Sequence, residues 1–392
     1  MSASQLLGPH LASSLLVNFV YCHPVGHAIE ALHYCHGYHL ADPDLHIGVA
    51  MVSATPVELA SLCPFVNEAF SVALDVFDAT KPPLGLETIP TGWSWVVDDA
   101  RAHQAWQRNA FPGIAAYYDR ADNRFASSGS LVGTAGAAPP EYVLGGQFRL
   151  HFPDAARERA AEMMGRARPA GARPRIAVLP AGSGAPANYP SLRSWRLIVS
   201  SLREQWPSAQ FCIVGKLHKN ARTSTSFERK ELEELLQFSG AVDAVDRDLV
   251  DQLALVAGCD VFISPHSGFG MAALAAGTPW LSISGGRWQE YYFNGVPFYS
   301  VLPDIARFPA FFALSDEPGQ VDDDGPRAPS MCFQRVQEDL DEIVEGAALL
   351  IERRWPYETA MADHFKRMLK LRNGRPEGIW SVDGLHKLYI GG

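Results

Sequence analysis

Short apolar runs alternate with amphipathic stretches along most of the chain. Runs rich in Val, Ile, Leu and Phe are typical of buried strands, and they fall at residues 14–21, 47–53, 70–77, 175–179, 209–215 and 259–264. Helix-forming segments follow several of them, at residues 28–35, after Thr55-Pro56 and at 226–237. Because strands that alternate with helices pair in parallel, the pattern predicts an α/β fold.

The most informative unit spans residues 257–286. An apolar strand leads into a turn of small and hydroxyl residues, and strong helix formers follow at 271–276. The first amides of such a helix lack intrahelical partners and lie at the positive end of its dipole, so the turn predicts an anion site, most usefully for a phosphate. Tight packing in any doubly wound domain can require the same residues, and both interpretations stay open.

The turn resembles the signature of GT-B glycosyltransferases, in particular the bacterial heptosyltransferases of glycosyltransferase family 9. That family has an Asp-x-Gly-x-x-x-x-Ala-Ala run followed by Pro, and here Ser267-Gly268, Ala273 and Pro279 stand in matching places. His266 replaces the Asp, and Leu274 replaces the second Ala. Plant-type and antibiotic-type glycosyltransferases carry His-x-Gly at the equivalent turn, where the His contacts the donor phosphate.

The resemblance implies an α/β fold of two Rossmann-like doubly wound domains that face each other across a cleft, the GT-B architecture. A chain of 392 residues is long enough for two such domains. The expected order is an acceptor-binding domain at 1–168, a linker at 169–174, a nucleotide-sugar domain at 175–355, and a C-terminal helix crossing back to the first domain, with a tail, at 356–392. The small-residue run 127–140 is expected to be a loop.

Composition narrows the class of partner. The chain is 47% hydrophobic and 19% charged, as globular proteins are, and its formal net charge of −10 argues against nucleic acid or an anionic membrane surface as the main partner. Residues 1–20 have neither a basic n-region nor a cleavage-site pattern, so we expect no export signal, and no apolar segment approaches the ~20 residues of a membrane span. Six scattered cysteines without a CxxC pair favour a reducing compartment, so we expect a cytoplasmic protein without integral membrane contact.

The first apolar run ends in a loop that contains Gly26-His27. In the heptosyltransferases the corresponding loop carries Gly-Asp, whose Asp is the proposed base, and many antibiotic-type glycosyltransferases have Gly-His, whose His is the base. An inverting transfer needs a group that takes a proton from the acceptor hydroxyl, and a neutral imidazole can do so near pH 7. His27 is therefore the predicted catalytic base. The alternative is a His that caps the first turn or packs under the loop.

Other histidines near this loop raise the question of a metal, since His23 and His27 could share a helical face. The segment has neither paired cysteines nor an HExxH pattern. Transfers by GT-B enzymes generally do not depend on a metal. We therefore expect neither metal nor cofactor, with a nucleoside-diphosphate sugar as co-substrate.

Residues 89–118 are rich in aromatic side chains, which suggests an acceptor cleft with flat apolar walls. The candidate acceptor-binding residues are Trp93, Trp95, Asp98 and Asp119. Residues 1–150 hold thirteen acidic and six basic side chains, a formal net charge of −7 that would repel a phosphorylated lipopolysaccharide core. A neutral or cationic acceptor, either a small molecule or a protein, is expected.

The candidate donor-binding residues follow predicted strands of the second half. Ser183 and Gly184 lie in a loop like the one that opens the heptosyltransferase donor domain. This chain lacks the Lys that the family has beside the diphosphate, and Arg193 or Arg196 is expected to supply the positive charge in its place. Asp248 and Leu249 stand where the family holds the nucleotide base. The further candidates are Lys216, His266, Ser267, Gly268, Phe269, Gly270 and Glu290, the last of which could reach ribose or sugar hydroxyls or form a solvated surface pair with Gln289.

The sequence thus predicts an inverting, metal-independent glycosyltransferase that moves a sugar from a nucleoside-diphosphate donor to an acceptor hydroxyl. Two alternatives stay open. A sugar-nucleotide epimerase shares the architecture but acts on the donor alone. A catalytically silent protein would bind the nucleotide sugar as the partner of another transferase.

Overall fold

The computed structural model describes residues 13–21, 25–135, 140–167, 173–218, 225–285, 294–309, 321–323, 325–379, 381 and 384–390. The chain divides into two compact units, Met1–His151 and Phe152–Gly392. Each contains a sheet whose strands are all parallel, so the predicted α/β class is confirmed. In the described residues, no helix combines the length and the apolar character that crossing a membrane requires.

The first unit is built on five strands in the order β3-β2-β1-β4-β5. The strands are β1 Ser14–Phe19, β2 His46–Val52, β3 Glu68–Val72, β4 Trp95–Asp98 and β5 Leu131–Thr134. The helices are α1 Val25–Ala41, α2 Ala105–Ala110 and α3 Pro112–Ser127, with 3-10 turns at Val57–Leu62, Leu86–Thr88 and Ala100–His103. Apolar side chains of β1, β2, β4 and α3 form its core because those strands are covered by helices.

The second unit has six parallel strands in the order β11-β10-β9-β6-β7-β8. They are β6 Arg175–Val178, β7 Gln210–Ile213, β8 Val242–Asp243, β9 Val261–Pro265, β10 Trp280–Ile283 and β11 Phe298–Val301, and β12 Val321–Asp322 and β13 Pro326–Arg327 form a separate hairpin. The helices are α4 Asp154–Ala167, α5 Leu192–Gln205, α6 Arg229–Ser239, α7 Leu249–Ala257, α8 Gly268–Ala275, α9 Phe333–Glu338, α10 Leu340–Ile351, α11 Tyr357–Leu371 and α12 Lys387–Ile390. Short 3-10 turns lie at Pro186–Asn188, Pro329–Met331 and Pro376–Gly378.

The contacts of α4 place this helix with the second unit, although the sequence assigned it to the first domain. Arg159 on α4 forms two hydrogen bonds with the carboxylate of Asp251 on α7, at 2.7 and 2.8 Å. At the other end of the chain, Arg367 on α11 donates to the carbonyl of Ser300 in β11 at 3.0 Å, and α11 packs on that strand. Both helices therefore pack within the second unit.

Candidate active site

Both sheets have a topological switch point. In the first, β1 and β4 are neighbours, while the chain continues from β1 toward one edge of the sheet and from β4 toward the other. In the second sheet, β6 and β9 have the same relation. Open parallel sheets bind ligands in the crevice at the carboxyl ends of such strand pairs. The segments after β1, β4, β6 and β9 are therefore the places to search for a site.

His27 lies after β1, and it belongs to the first turn of α1 rather than to the predicted loop. Its side chain is largely buried, since the residue is 7% exposed. The ring packs edge-on against Tyr21, with centroids 4.4 Å apart. Nε2 of His27 lies 3.6 Å from Oε2 of Glu30, one turn further along the helix. The structure thus holds the imidazole between an aromatic ring and a carboxylate.

Glu30 connects His27 to the segment after β4. Its Oε2 accepts a hydrogen bond from Nη2 of Arg101 at 2.6 Å, and the same nitrogen lies 2.7 Å from Oδ2 of Asp99. Burial raises the pKa of Glu30, with the charge of Arg101 opposing it. Burial also disfavours the Arg101 cation, but the charges of Asp99 and Glu30 outweigh this and raise its pKa. The guanidinium lies over the Tyr21 ring, 4.8 Å from its centroid, so it fixes both neighbours of His27.

Asp98 ends β4 beside this network. Its Oδ1 accepts from Nδ2 of Asn18 on β1 at 2.8 Å, and its Oδ2 lies 3.2 Å from Nε2 of His103. The hydrogen bond to Asp98 raises the pKa of His103. Burial, together with the nearby charge of Asp98 and a hydrogen bond to it, raises the pKa of Asp122 to about 7. The Asp122 carboxyl therefore keeps its proton to higher pH than an exposed aspartate does.

Asp98, His103 and Asp122 also form the one group of described residues whose ligand atoms fit a metal ion, all within 4.8 Å of one another. The hydrogen bonds of Asp98 with Asn18 and His103 account for the position of its carboxylate in this group.

The predicted acceptor residues do not gather in one place. Asp98 lies at the carboxyl edge of the first sheet, but Trp95 is the first residue of β4 and so lies at the amino edge. Trp93 precedes it, is 2% exposed, and packs so tightly that a Cβ on Gly48 would lie 2.5 Å from its ring. Asp119, on α3, is bound by Arg108 at 2.8 Å. Both tryptophans therefore lie at the edge opposite to His27. The sequence prediction did not anticipate this, because aromatic content does not show at which end of a strand a residue lies.

In the second unit, the predicted phosphate turn has the expected form. Ser267 is the N-cap of α8, and its Oγ accepts from the amide of Gly270 at 3.2 Å. The amides of Gly268 and Phe269, at the first two helical positions, have no acceptor within the helix. They are the donors that this turn offers to an anion.

Gly270 has a packing role. A Cβ at this position would lie 2.2 Å from the Trp280 ring, so only glycine lets α8 lie against β10. His266 is half-buried, with its ring centroid 6.1 Å from that of Trp280. Phe269 packs on Phe262, with centroids 5.5 Å apart. The turn is thus a rigid part of the sheet and its helix layer.

The loop at Ser183 and Gly184 follows β6, which is the strand next to β9 in the sheet. Ser183 and Gly184 are exposed, and the amide of Gly184 donates to the phenol oxygen of Tyr189 at 2.9 Å. A Cβ on Gly184 would approach this oxygen to 2.7 Å, which explains the glycine. The two loops predicted to bind the diphosphate therefore follow adjacent strands at the switch point of this sheet.

The two candidate arginines on α5 are already engaged. Arg193 stacks on the ring of Phe333, with its guanidinium carbon 3.7 Å from the centroid. Arg196 reaches Glu234 on α6 at 3.5 Å. Both side chains are exposed, so either contact costs little to exchange.

The remaining donor candidates lie near β7. Lys216 is half-buried three residues beyond the strand, and the exposed Asp248 precedes α7, which begins at Leu249. The adjacent Asp246 was not predicted: its φ of 61° is in the left-handed region, and its Oδ1 accepts from the amides of Leu217 and His218 at 2.9 and 3.1 Å. Burial opposes ionisation of Asp246, but the bonds to His218 and Leu217 outweigh it and lower the pKa. Glu290 lies outside the described residues.

Three side chains that hold His27 were missed from the sequence. Glu30 could have been found from its position three residues after His27, on the same helical face. Tyr21 and Arg101 could not, because their contacts depend on the pairing of β1 with β4.

Comparisons with known proteins support the fold. No protein-family profile and no curated protein matches the chain. Among solved structures, a glycosyl transferase family 9 protein from Veillonella parvula superposes over 85% of this chain and 97% of its own, with 11% identity and a TM-score of 0.52. The ADP-heptose lipopolysaccharide heptosyltransferase II of E. coli covers 85% of this chain and 98% of its own, with 14% identity and a TM-score of 0.50.

A UDP-GlcNAc 2-epimerase from Neisseria meningitidis also overlaps 92% of this chain and all of its own, with 13% identity, but its TM-score of 0.38 supports no argument. At these identities the likeness establishes a shared α/β fold with the two transferase structures, as the sequence motifs implied.

Proposed function

We propose that this protein is a glycosyltransferase that moves a sugar from a nucleoside-diphosphate donor to an acceptor hydroxyl with inversion at the anomeric carbon. The observation that carries the proposal is the placement of two complementary chemistries at the two switch points. A buried imidazole with a carboxylate partner follows β1, and a helix N-terminus with small residues follows β9. The fold shared with the transferase structures agrees with this function.

His27 acts as the general base. It accepts the proton of the acceptor hydroxyl as that oxygen attacks the anomeric carbon. The Glu30 carboxylate at 3.6 Å then stabilises the imidazolium, and Arg101 holds Glu30 in place. Such a base contributes about 10²- to 10⁴-fold to rate.

The turn at Ser267 binds the diphosphate. The amides of Gly268 and Phe269 and the dipole of α8 offset the negative charge that grows on the departing nucleoside diphosphate. The loop at Ser183 and Gly184, with Lys216, Asp248 and Leu249, completes the proposed donor site. His266 would contact a donor phosphate at its half-buried position beside the turn.

The donor is a nucleotide sugar, and the name of the E. coli ADP-heptose lipopolysaccharide heptosyltransferase II gives such a donor for that protein. We propose that the transfer needs no metal, because the helix N-terminus supplies the positive potential. Turnover should then be unchanged by a chelator. Loss of turnover in the chelator, restored by a divalent cation, would contradict this and point to Asp98, His103 and Asp122.

A donor panel tests the function. Purified protein is incubated with UDP-, GDP-, ADP- and dTDP-sugars together with neutral and cationic hydroxyl acceptors, and nucleoside diphosphate and sugar products are measured. Release of nucleoside diphosphate with a new glycoside is the expected result. Conversion of the donor to its epimer, or binding of a donor without either reaction, would overturn the proposal in favour of an epimerase or a silent binding protein.

A further inference from the structure

A row of aromatic rings leads from the surface of the first unit to His27. Its members, Phe77, Phe111 and Tyr21, are the aromatic row. The centroids of Phe77 and Phe111 are 5.7 Å apart, those of Phe111 and Tyr21 are 6.0 Å apart, and Tyr21 contacts His27 at 4.4 Å. Each step is within the range of direct ring contact.

Burial increases along the row. Phe77 is 67% exposed, Phe111 is half-buried, and Tyr21 is buried. A single exposed Phe is common on a protein surface and proves nothing by itself. Phe77, however, is the exposed end of a continuous series of rings that reaches a buried imidazole, and this favours a ligand site. An apolar ligand could cover the exposed ring while the polar end of the ligand approaches His27.

The outer end of the row is held firmly. The amide of Phe77 donates to Oδ1 of Asp75 at 3.1 Å, and Asp75 in turn binds Lys81 at 2.7 Å. The amide of Gly113, at the start of α3, donates to the carbonyl of Val76 at 3.0 Å. A Cβ on Gly113 would lie 1.9 Å from the Asp75 carbonyl, so the helix can approach this segment only with glycine there.

The inner end is fixed by polar contacts. The Tyr21 hydroxyl donates to Oε1 of Gln107 on α2, and the Arg101 guanidinium lies over its ring. Tyr21 follows β1, Phe77 follows β3, and Phe111 lies between α2 and α3. All three rings therefore lie at the carboxyl edge of the sheet, as His27 does.

We propose that the aromatic row binds a planar aromatic acceptor and directs its phenolic hydroxyl to His27. This assignment of substrate class rests on the proposed function. The phenol proton passes to the imidazole, the phenolate oxygen bonds to the anomeric carbon, and the bond from that carbon to the diphosphate breaks, its electron pair leaving with the nucleoside diphosphate. A phenol, whose pKa of about 10 resembles that of tyrosine, yields its proton to an imidazole far more readily than an aliphatic alcohol does.

Charge agrees with this class. Residues 1–150 carry a formal net charge of −7, which disfavours anionic acceptors and leaves a neutral ring unaffected. The sequence predicted that Trp93 and Trp95 line the acceptor cleft. The proposal assigns that role to the aromatic row, at the opposite edge of the same sheet.

Direct binding tests the assignment without any transfer reaction. The full-length protein is titrated calorimetrically with 4-methylumbelliferone, a planar phenol, and with cyclohexanol, an aliphatic alcohol of the same polar group. We expect the phenol to bind and cyclohexanol to bind at least about tenfold more weakly. Phe77→Ala should weaken phenol binding about 5- to 10-fold, and Phe77→Leu should weaken it less but measurably.

Leu131→Ala is the matched control, because Leu131 is 63% exposed but is the first residue of β5, at the amino edge. It should bind the phenol like the parent protein. Equal affinities for phenol and cyclohexanol, or a Phe77→Ala protein of unchanged melting temperature that binds the phenol as well as Leu131→Ala, would overturn the assignment.

The outcome separates this inference from the proposed function. A protein that binds 4-methylumbelliferone through Phe77 but releases no nucleoside diphosphate from any donor would support the aromatic site and refute glycosyl transfer. A protein that glycosylates aliphatic alcohols and phenols equally, with no effect of Phe77→Ala, would support transfer and refute the aromatic site.

Discussion

The two sheets share a strand order around their central strands but carry opposite chemistry at their switch points. Between β1 and β4, charged side chains fill the site, and the buried Glu30 and the half-buried Arg101 lie beside His27. Between β6 and β9, small residues and the start of α8 present backbone amides. Side chains that exchange protons suit the first position, and fixed amides suit a phosphate at the second. One architecture therefore supports two tasks, and the difference can be tested.

The largest effect on stability is expected where the second site depends on backbone approach. Gly270→Ala would force a Cβ to 2.2 Å from the Trp280 ring and should destabilise the protein by about 1–3 kcal/mol or more. Urea unfolding measures this. Gly165→Ala, on α4 with nothing within 4 Å, is the control and should stabilise by about 1 kcal/mol. Equal unfolding midpoints for the two variants would refute the packing role of Gly270.

In the first site, the charge of one side chain should matter more than its shape. Glu30→Gln keeps the size but removes the carboxylate 3.6 Å from Nε2 of His27. Because that carboxylate favours the protonated imidazole, the acidic limb of the pH profile of kcat/KM should move to lower pH. Turnover should fall about tenfold at neutral pH, since the imidazolium loses its stabilising partner.

Glu68→Gln is the matched control for Glu30→Gln. Glu68 also pairs with a histidine, His46, at 2.7 Å, but at the start of β2 and so at the amino edge of the sheet. Its pH profile should equal that of the parent protein. A profile for Glu30→Gln that overlays the profile of Glu68→Gln would remove Glu30 from the mechanism.

Removing a cap side chain from the second site should have a smaller effect. Ser267→Ala loses the bond to the Gly270 amide and should cost about 1 kcal/mol of stability. Nucleoside-diphosphate affinity should fall about threefold, since the amides remain but are less well ordered. Ser191→Ala removes an equivalent 3.2 Å cap from α5 and should cost similar stability with unchanged affinity. Equal affinity losses in both variants would argue against a phosphate at α8.

The smallest effect concerns the proton of Asp122, whose carboxyl group lies beside Asp98. The folded protein holds this proton up to about pH 7, whereas an unfolded Asp releases it near pH 3.8. The group therefore lowers stability progressively as pH rises from about 4 to about 7. Asp122→Asn removes this loss and should stabilise by on the order of 1 kcal/mol at pH 8, after allowance for solvent screening, and by almost nothing at pH 4.

Thermal unfolding at several pH values checks the effect of Asp122→Asn, with an expected rise of about 2–4 °C at pH 8. Asp119→Asn, one turn earlier on α3 and paired with Arg108, is the control and should show no such pH dependence. Parallel curves for Asp122→Asn and the parent protein would contradict the raised pKa of Asp122.

Local patterns predicted the elements that short-range physics determines. Residues 257–285 fold as expected into β9, α8 and β10, because an apolar strand, a Ser cap and a terminating Gly act within a few residues of each other. The small-residue run 127–140 was expected to be a loop, yet it contains β5, whose residues Leu131–Thr134 pair with β4. Tertiary pairing determined that strand, since its own propensity is weak.

The surroundings of the site depend on long-range pairing. Arg101 reaches Glu30 across 71 positions of sequence because β1 and β4 are neighbours in the sheet. The aromatic content of its segment predicted that Trp93 binds the acceptor, but the direction of β4 places this residue at the amino edge of the sheet. Residue types were thus visible in the sequence, whereas the sheet edge that each one occupies was not.

The most direct test of the account is the proton acceptor itself. Transfer and nucleoside-diphosphate binding are measured side by side for His27→Ala and for His39→Ala, a histidine in the last turn of the same helix. The account predicts a loss of about 10²- to 10⁴-fold in turnover for His27→Ala alone, with nucleotide affinity within severalfold of the parent protein in both variants. Unchanged turnover in a folded His27→Ala protein would contradict it.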